Sequence, residues 1–222
     1  MKNLLLKKII AISFFLAIAF IIEYIVSFSF GIHCYFSLLK IELLPILSIG
    51  FLFGLKFSFF STLFYILIHS LLEFVFSFHK HDLILVNNDV FSLFFAFSLL
   101  LYIFIIPYLS CVITGFFYRK DLKHLNYYRN VIQSLSLITL IQIVSYFIFA
   151  LIIHFFYSNS FNEFLEHFPK TILKISGEGF SLAFFIFLFY LISVIITNII
   201  LGIIFYFLNP ILKENIEFFL SE

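Results

Sequence analysis

Three carboxylates stand inside stretches that are otherwise almost wholly apolar: Glu23, Glu42 and Glu73. Near the centre of a bilayer a charge costs about 2.5–3.5 kcal/mol on insertion scales, so each needs a physical reason to be there. The residues alone leave two reasons open. Either the carboxylates lie near one membrane face and snorkel to water, or they line a polar chamber open to the exterior. In a chamber they would contact a solute, or act as proton carriers in a small secondary transporter. Five further residues are polar and sit in or beside apolar runs: Asn88, Tyr146, His154, Glu178 and Asn198. An unpaired polar group is costly in such surroundings, which makes these five the candidate substrate-binding residues. Asn198 also fits a plain helix–helix hydrogen bond.

Other chemistry is missing at the level of motif. The chain has no glycine-rich phosphate loop with its Lys and no His-Glu-x-x-His zinc site. It lacks a Gly-x-Ser-x-Gly nucleophile elbow and the clustered aspartates of a metal-dependent lipid transferase. His79-Lys80-His81-Asp82 offers two histidines that would point the same way in an extended loop, and reads equally as a solvated loop tip. No catalytic, metal or cofactor site is expected, and no enzyme. With a net charge of +1, nothing suggests nucleic acid as a partner.

Composition says what solvent these residues meet. Apolar residues make up 64% of the 222-residue chain and charged ones 11%, against about 45–50% and about 25% in soluble domains. A soluble fold of this size buries only about three quarters of its surface, and the polar residues here could not cover the rest. The lipid bilayer is therefore the solvent. The 38 Phe, with no Trp and only 7 Gly, fit an AT-rich coding bias better than an aromatic binding surface.

A hydrocarbon core of about 30 Å needs about 20 apolar residues in a helix. The expected fold is all-α: a polytopic membrane protein whose single transmembrane domain, residues 1–222, packs six helices into a compact bundle. The spans read as about 9–30, 38–53, 57–78, 90–118, 131–157 and 180–208. The first lacks a small-residue cleavage site and should be retained. Pro107 is a candidate kink in the fourth, and Asn209-Pro210 stops the sixth. Only Gly54-Leu55-Lys56 separates the second span from the third, so those two should be neighbours. Dropping the short second span would leave five. In the connection 158–179, Phe161, Phe164, Leu165 and Phe168 fall near the spacing of a short interfacial helix.

Positive charge sets the orientation. With the N-terminus inside, nine Lys and Arg lie on the cytoplasmic side and four (Lys40, Lys80, Lys170 and Lys174) outside. Both termini should be cytoplasmic, in a multi-pass protein of the cell membrane. Glu23, Glu42, Glu73 and His154 then share an outer level. Cys34 and Cys111 fall at different depths and should not be bonded, since a disulfide needs Cα atoms within about 7 Å. On the inner half of span one, Ala11, Ser13, Ala17 and Ala19 cluster in a chain poor in Ala. Ser13 and Ala17 make a small-xxx-small face, suited to internal packing or to docking a partner helix.

Several of these features together resemble the substrate-binding S component of energy-coupling factor vitamin transporters. The segment Leu39–Lys56 carries most of the resemblance, with Pro45-Ile46 near the start of helix two and Phe53-Gly54 at its end. Leu71-Leu72 matches a Leu pair that often ends the next helix, and Ser13-xxx-Ala17 stands where the family has Ala-xxx-Ala. The layout is closest to the riboflavin-binding members, through Phe116-Phe117-Tyr118-Arg119-Lys120. The chain departs from them at two points: Ser145-Tyr146 replaces an Asn-Tyr, and Asn198-Ile199-Ile200-Leu201-Gly202 lacks the Lys of an Asn-xx-Lys-Gly. The resemblance implies high-affinity binding of a vitamin from outside. It also implies docking through Ala11, Ser13 and Ala17 on a membrane coupling protein with two ATPase subunits. Tyr24, Tyr35 and Tyr146 would then be walls of the site.

Overall fold

The structure, a computed structural model, describes residues 2–30, 39–80, 97–117, 128–156 and 180–220, with side chains over 5–26, 39–72, 97–117, 129–155 and 183–208. Every described residue outside 39–42 and Gly54 is helical. The helices are α1 (Lys2–Phe30), α2 (Leu43–Phe53), α3 (Leu55–Lys80), α4 (Phe97–Phe117), α5 (Tyr128–Phe156) and α6 (Phe180–Leu220). Five of them, all but α2, are long and apolar enough to cross a membrane. Asn209-Pro210 does not stop the last helix as expected: α6 runs on through both residues to Leu220.

The second expected span takes a different form. It is a helix of 11 residues, about 16 Å at 1.5 Å per residue, about half of a hydrocarbon core. Lys40 and Glu42 precede it, and Gly54, at φ 88°, ends it in a conformation that a Cβ would disfavour. Gly54 N–H still donates to Gly50 O at 3.1 Å, and Ser58 N–H to Gly54 O at 3.0 Å, so one residue joins α2 to α3. Nine of the 11 residues of α2 are buried, from Leu43 to Leu52 with Leu44 alone less covered. This short helix is the centre of the protein, with α1, α3 and α4 packed around it.

Close approach of α2 and α4 depends on Gly50. A Cβ there would lie 1.8 Å from Thr114 Oγ1. Thr114 uses the proximity, donating to Leu47 O at 3.2 Å. The helix α4 is irregular around Pro107, where the sequence suggests a kink. It is π-helical over Leu100–Ile105 and 3₁₀ over Cys111–Phe117. Pro107 has no N–H to return to the preceding turn. The carbonyls five and four residues before it are taken by side chains instead. Ser145 Oγ donates to Tyr102 O at 2.6 Å and Lys40 Nζ to Ile103 O at 3.4 Å.

Two apolar clusters hold the bundle. One joins α1, α2, α3 and the second half of α4 to Leu135, Ile138, Leu201 and Phe205. The other joins Leu99 and Ile103 to Tyr146, Phe149, Ile186 and Tyr190. The outer surface is as apolar as the inside: Phe60, Phe116, Phe155 and Phe207 are all exposed. A surface of this kind calls for lipid contact. The thiol of Cys111 is free and buried; Cys34 and residues 158–179 lie outside the described residues.

Candidate functional site

Helical spacing builds the site. Tyr65 and His69 on α3 are four apart, as are Phe104 and Tyr108 on α4, so each pair shares one helix face. The two faces meet in a ladder of rings. Tyr65 stacks on Tyr108 with centroids 5.4 Å apart, and His69 on Phe104 at 4.2 Å. From α1, Phe20 stacks on Tyr65 at 4.7 Å. Three residues further along α1, Glu23 enters the same space.

Both buried carboxylates end on this ladder. Tyr65 Oη donates to Glu23 Oε2 at 2.6 Å, and His69 Nδ1 faces Glu23 Oε1 at 2.5 Å. Tyr108 Oη donates to Glu42 Oε1 at 2.8 Å. The two carboxylates are linked through the ladder, since Tyr65, which holds Glu23, stacks on Tyr108, which holds Glu42. They are therefore not snorkelling groups; each is buried and held by a phenol. For Glu23 and Glu42 the structure shows a buried, hydrogen-bonded cluster in place of snorkelling. The side chain of Glu73 lies outside the described ones.

Lys40 completes the cluster from the entry to α2. Its backbone N–H donates to Thr197 Oγ1 of α6 at 3.3 Å. Its ammonium lies 5.3 Å from the Tyr108 ring centroid and within electrostatic reach of the Tyr146 phenol. Tyr146 in turn stacks on Tyr190 at 4.7 Å. All six helical segments thus contribute: Glu23, Lys40 with Glu42, Tyr65 with His69, Tyr108, Tyr146 and Thr197.

A second polar group adjoins the first. Asn198 Nδ2 donates to Thr139 Oγ1 at 2.8 Å and to Gln142 Oε1 at 3.1 Å. Thr139 Oγ1 in turn donates to Leu135 O at 2.7 Å, and Gln142 Nε2 donates to Pro107 O at 3.3 Å. This is the helix–helix hydrogen bonding that one reading of Asn198 expects. Asn198 also floors an apolar groove of about 1020 Å³ between α5 and α6, which includes Leu135, Ile143 and Gly202.

The five candidate binding residues therefore separate. Tyr146 is buried beside the Lys40 ammonium, and Asn198 belongs to the adjoining group. His154 is partly buried, with its ring 5.1 Å from that of Phe155. Asn88 and Glu178 lie outside the described residues. Three members of the cluster escape the sequence reading as site residues: His69, Tyr65 and Tyr108. The i, i+4 spacing of Tyr65 with His69, and a lone histidine in an apolar span, were the available signals. On α1, Ser13 and Ala17 are exposed and Ala11 half-buried, whereas Ile12, Leu16 and Ala19 are buried. The Ser13–Ala17 face is thus turned away from the interior of the protein.

Among the described residues no group of three or more His, Cys, Asp or Glu is placed to hold a metal ion. Compared with protein-family models, with curated proteins and with solved structures, the chain gives no match.

Proposed function

We propose that this protein is the substrate-binding membrane subunit of an ATP-driven importer of the energy-coupling factor type, taking up a vitamin or related micronutrient. The observation that supports this reading is the buried cluster around Glu23, Glu42 and Lys40. Ionisable groups inside a membrane protein are costly, and they mark solute or ion pathways by default. Six spans with cytoplasmic termini, α2 crossing as a short helix shielded by its neighbours, would place the cluster in the outer half of the membrane. A cysteine replacing Ser221 should then react with an impermeant thiol reagent only from the inside. The exposed Ser13–Ala17 face adds support, since a flat face without an internal packing role suits a docking partner.

A stand-alone proton-linked carrier is the second reading, and the pairing of Glu23 with His69 is the observation that favours it. Purification of the full-length chain from its own membranes separates the two. The importer reading expects two P-loop ATPase subunits and one further membrane protein to accompany it. A chain recovered without ATPase, which alone in vesicles accumulates solute against a pH gradient, would establish the carrier.

A further inference from the structure

The charges of the cluster are unevenly served. Glu23 has His69 and Tyr65, and Glu42 has the Tyr108 hydroxyl. Lys40 is only 6% exposed, yet among the described residues its ammonium has no anionic group in contact. Its neighbours are the Ile103 carbonyl at 3.4 Å, the face of Tyr108 and the Tyr146 phenol. All three are neutral. An ammonium carries three donors, and those it uses go to neutral partners, the Ile103 carbonyl in a long bond and the Tyr146 phenol. Among the described residues no carboxylate oxygen lies within 4.0 Å of it. Glu42, two residues on, attracts Lys40 from beyond contact distance, and one of its oxygens accepts from Tyr108 instead.

A buried charge is tolerated when it is paired and hydrogen-bonded. Here each buried carboxylate has a contact partner of its own, whereas among the described residues the ammonium has neutral partners alone. The aromatic surroundings are specific as well: Tyr108 presents its ring to the ammonium, while Tyr146, stacked on Tyr190, stands on the α5–α6 side. Such a corner offers one cationic anchor, phenol donors and flat ring faces.

We propose that Lys40 anchors an acidic group, a carboxylate or a phosphate, of the solute that this protein binds, with Tyr146 beside the same group. This rests on reading the buried cluster as the solute site. An anion at Lys40 would supply a counter-charge in direct contact and take up its remaining donor capacity in charge-assisted hydrogen bonds. Binding would then be coupled to relief of an uncompensated charge, so the empty protein is the less stable one.

The test uses the full-length protein purified in mild detergent without ligand exchange. Native mass spectrometry identifies the small molecule that the wild type retains, and that molecule is the probe for the variants. The expected result is a molecule bearing a carboxylate or phosphate. Lys40→Met should weaken its binding by about 100-fold, roughly 2.7 kcal/mol, in line with the truncation of a buried charge pair. Lys40→Arg should retain most of it. Removing an unpaired buried charge should not harm folding, so Lys40→Met stripped of ligand should melt no lower than stripped wild type. If Lys40→Met does not fold, the chemistry of the retained molecule and the Lys40→Arg affinity still decide. Three results each overturn the proposal: a retained molecule without an acidic group, no retained molecule, or equal affinity in Lys40→Met. An uncharged vitamin bound by a chain that travels with its ATPases would remove the Lys40 anchor and leave the importer standing. An acidic solute lost in Lys40→Met, but accumulated by the chain alone in vesicles, would do the reverse.

Discussion

Glu23 of α1 and His69 of α3 face each other at 2.5 Å inside the helix bundle, Oε1 to Nδ1, and both are buried. They are 46 positions apart in the chain and tie α1 to α3. Breaking one partner of a buried pair costs more than replacing both, because the survivor keeps its desolvation penalty. His69→Phe alone should therefore destabilise the protein by about 3 kcal/mol. The double variant Glu23→Leu/His69→Phe should recover most of that loss. A double-mutant cycle from reversible unfolding in detergent measures the coupling, and a cycle that sums to zero would show that the two act independently.

Packing of α2 against α4 offers a steric test. Gly50→Ala places a methyl 1.8 Å from Thr114 Oγ1, and overpacking of this kind costs about 1–3 kcal/mol. Adding Thr114→Ala should restore only part of the stability, since Thr114 Cβ is itself 2.9 Å from the new methyl. Melting temperatures of the single and double variants check this. Full restoration would mean that the hydroxyl alone sets the distance.

The face of α1 bearing Ser13 and Ala17 is exposed, so bulk there should leave the fold alone. Ala17→Trp or Ser13→Trp should keep the wild-type melting temperature and solute affinity while abolishing uptake in cells. Transport that survives either substitution, or binding and transport lost together, would end the docking reading.

Tyr146 and Asn198 belong to different polar groups and should respond differently to removal. Asn198→Ala loses the bonds to Thr139 and Gln142. Interhelical hydrogen bonds in membranes average about 0.6 kcal/mol, with a maximum of about 1.7. A drop in stability within that range is expected, with little change in solute affinity. Tyr146→Ala should weaken solute binding by more than tenfold, because it removes a wall beside Lys40. Isothermal titration together with thermal melts separates the two effects. Equal loss of affinity in both variants would merge the two groups into one site.

The sequence by itself determined the solvent, the class and most of the elements. At 64% apolar residues and 11% charged, burial in lipid is the arrangement that such a chain can satisfy, and in lipid a backbone satisfies itself as helix. The long apolar runs became α1, α3, α4, α5 and α6, and Glu23 and Glu42 stood out as costly charges. Which face of each helix looks inward was another matter. A helix that is apolar all round shows no stripe to betray its core side, and these helices expose Phe and Ile as freely as they bury them. Only the tertiary structure decided that Glu23 would meet His69, that Tyr65 would stack on Tyr108, and that Ser13 and Ala17 would face outward. It also decided that the shortest helix would be central. The reason is local and steric: Gly50 lets α4 approach α2 closely enough for Thr114 to reach the Leu47 carbonyl. Likewise Lys40, in sequence one more charge at a helix end, became a buried ammonium because Pro107 left the Ile103 carbonyl open for it.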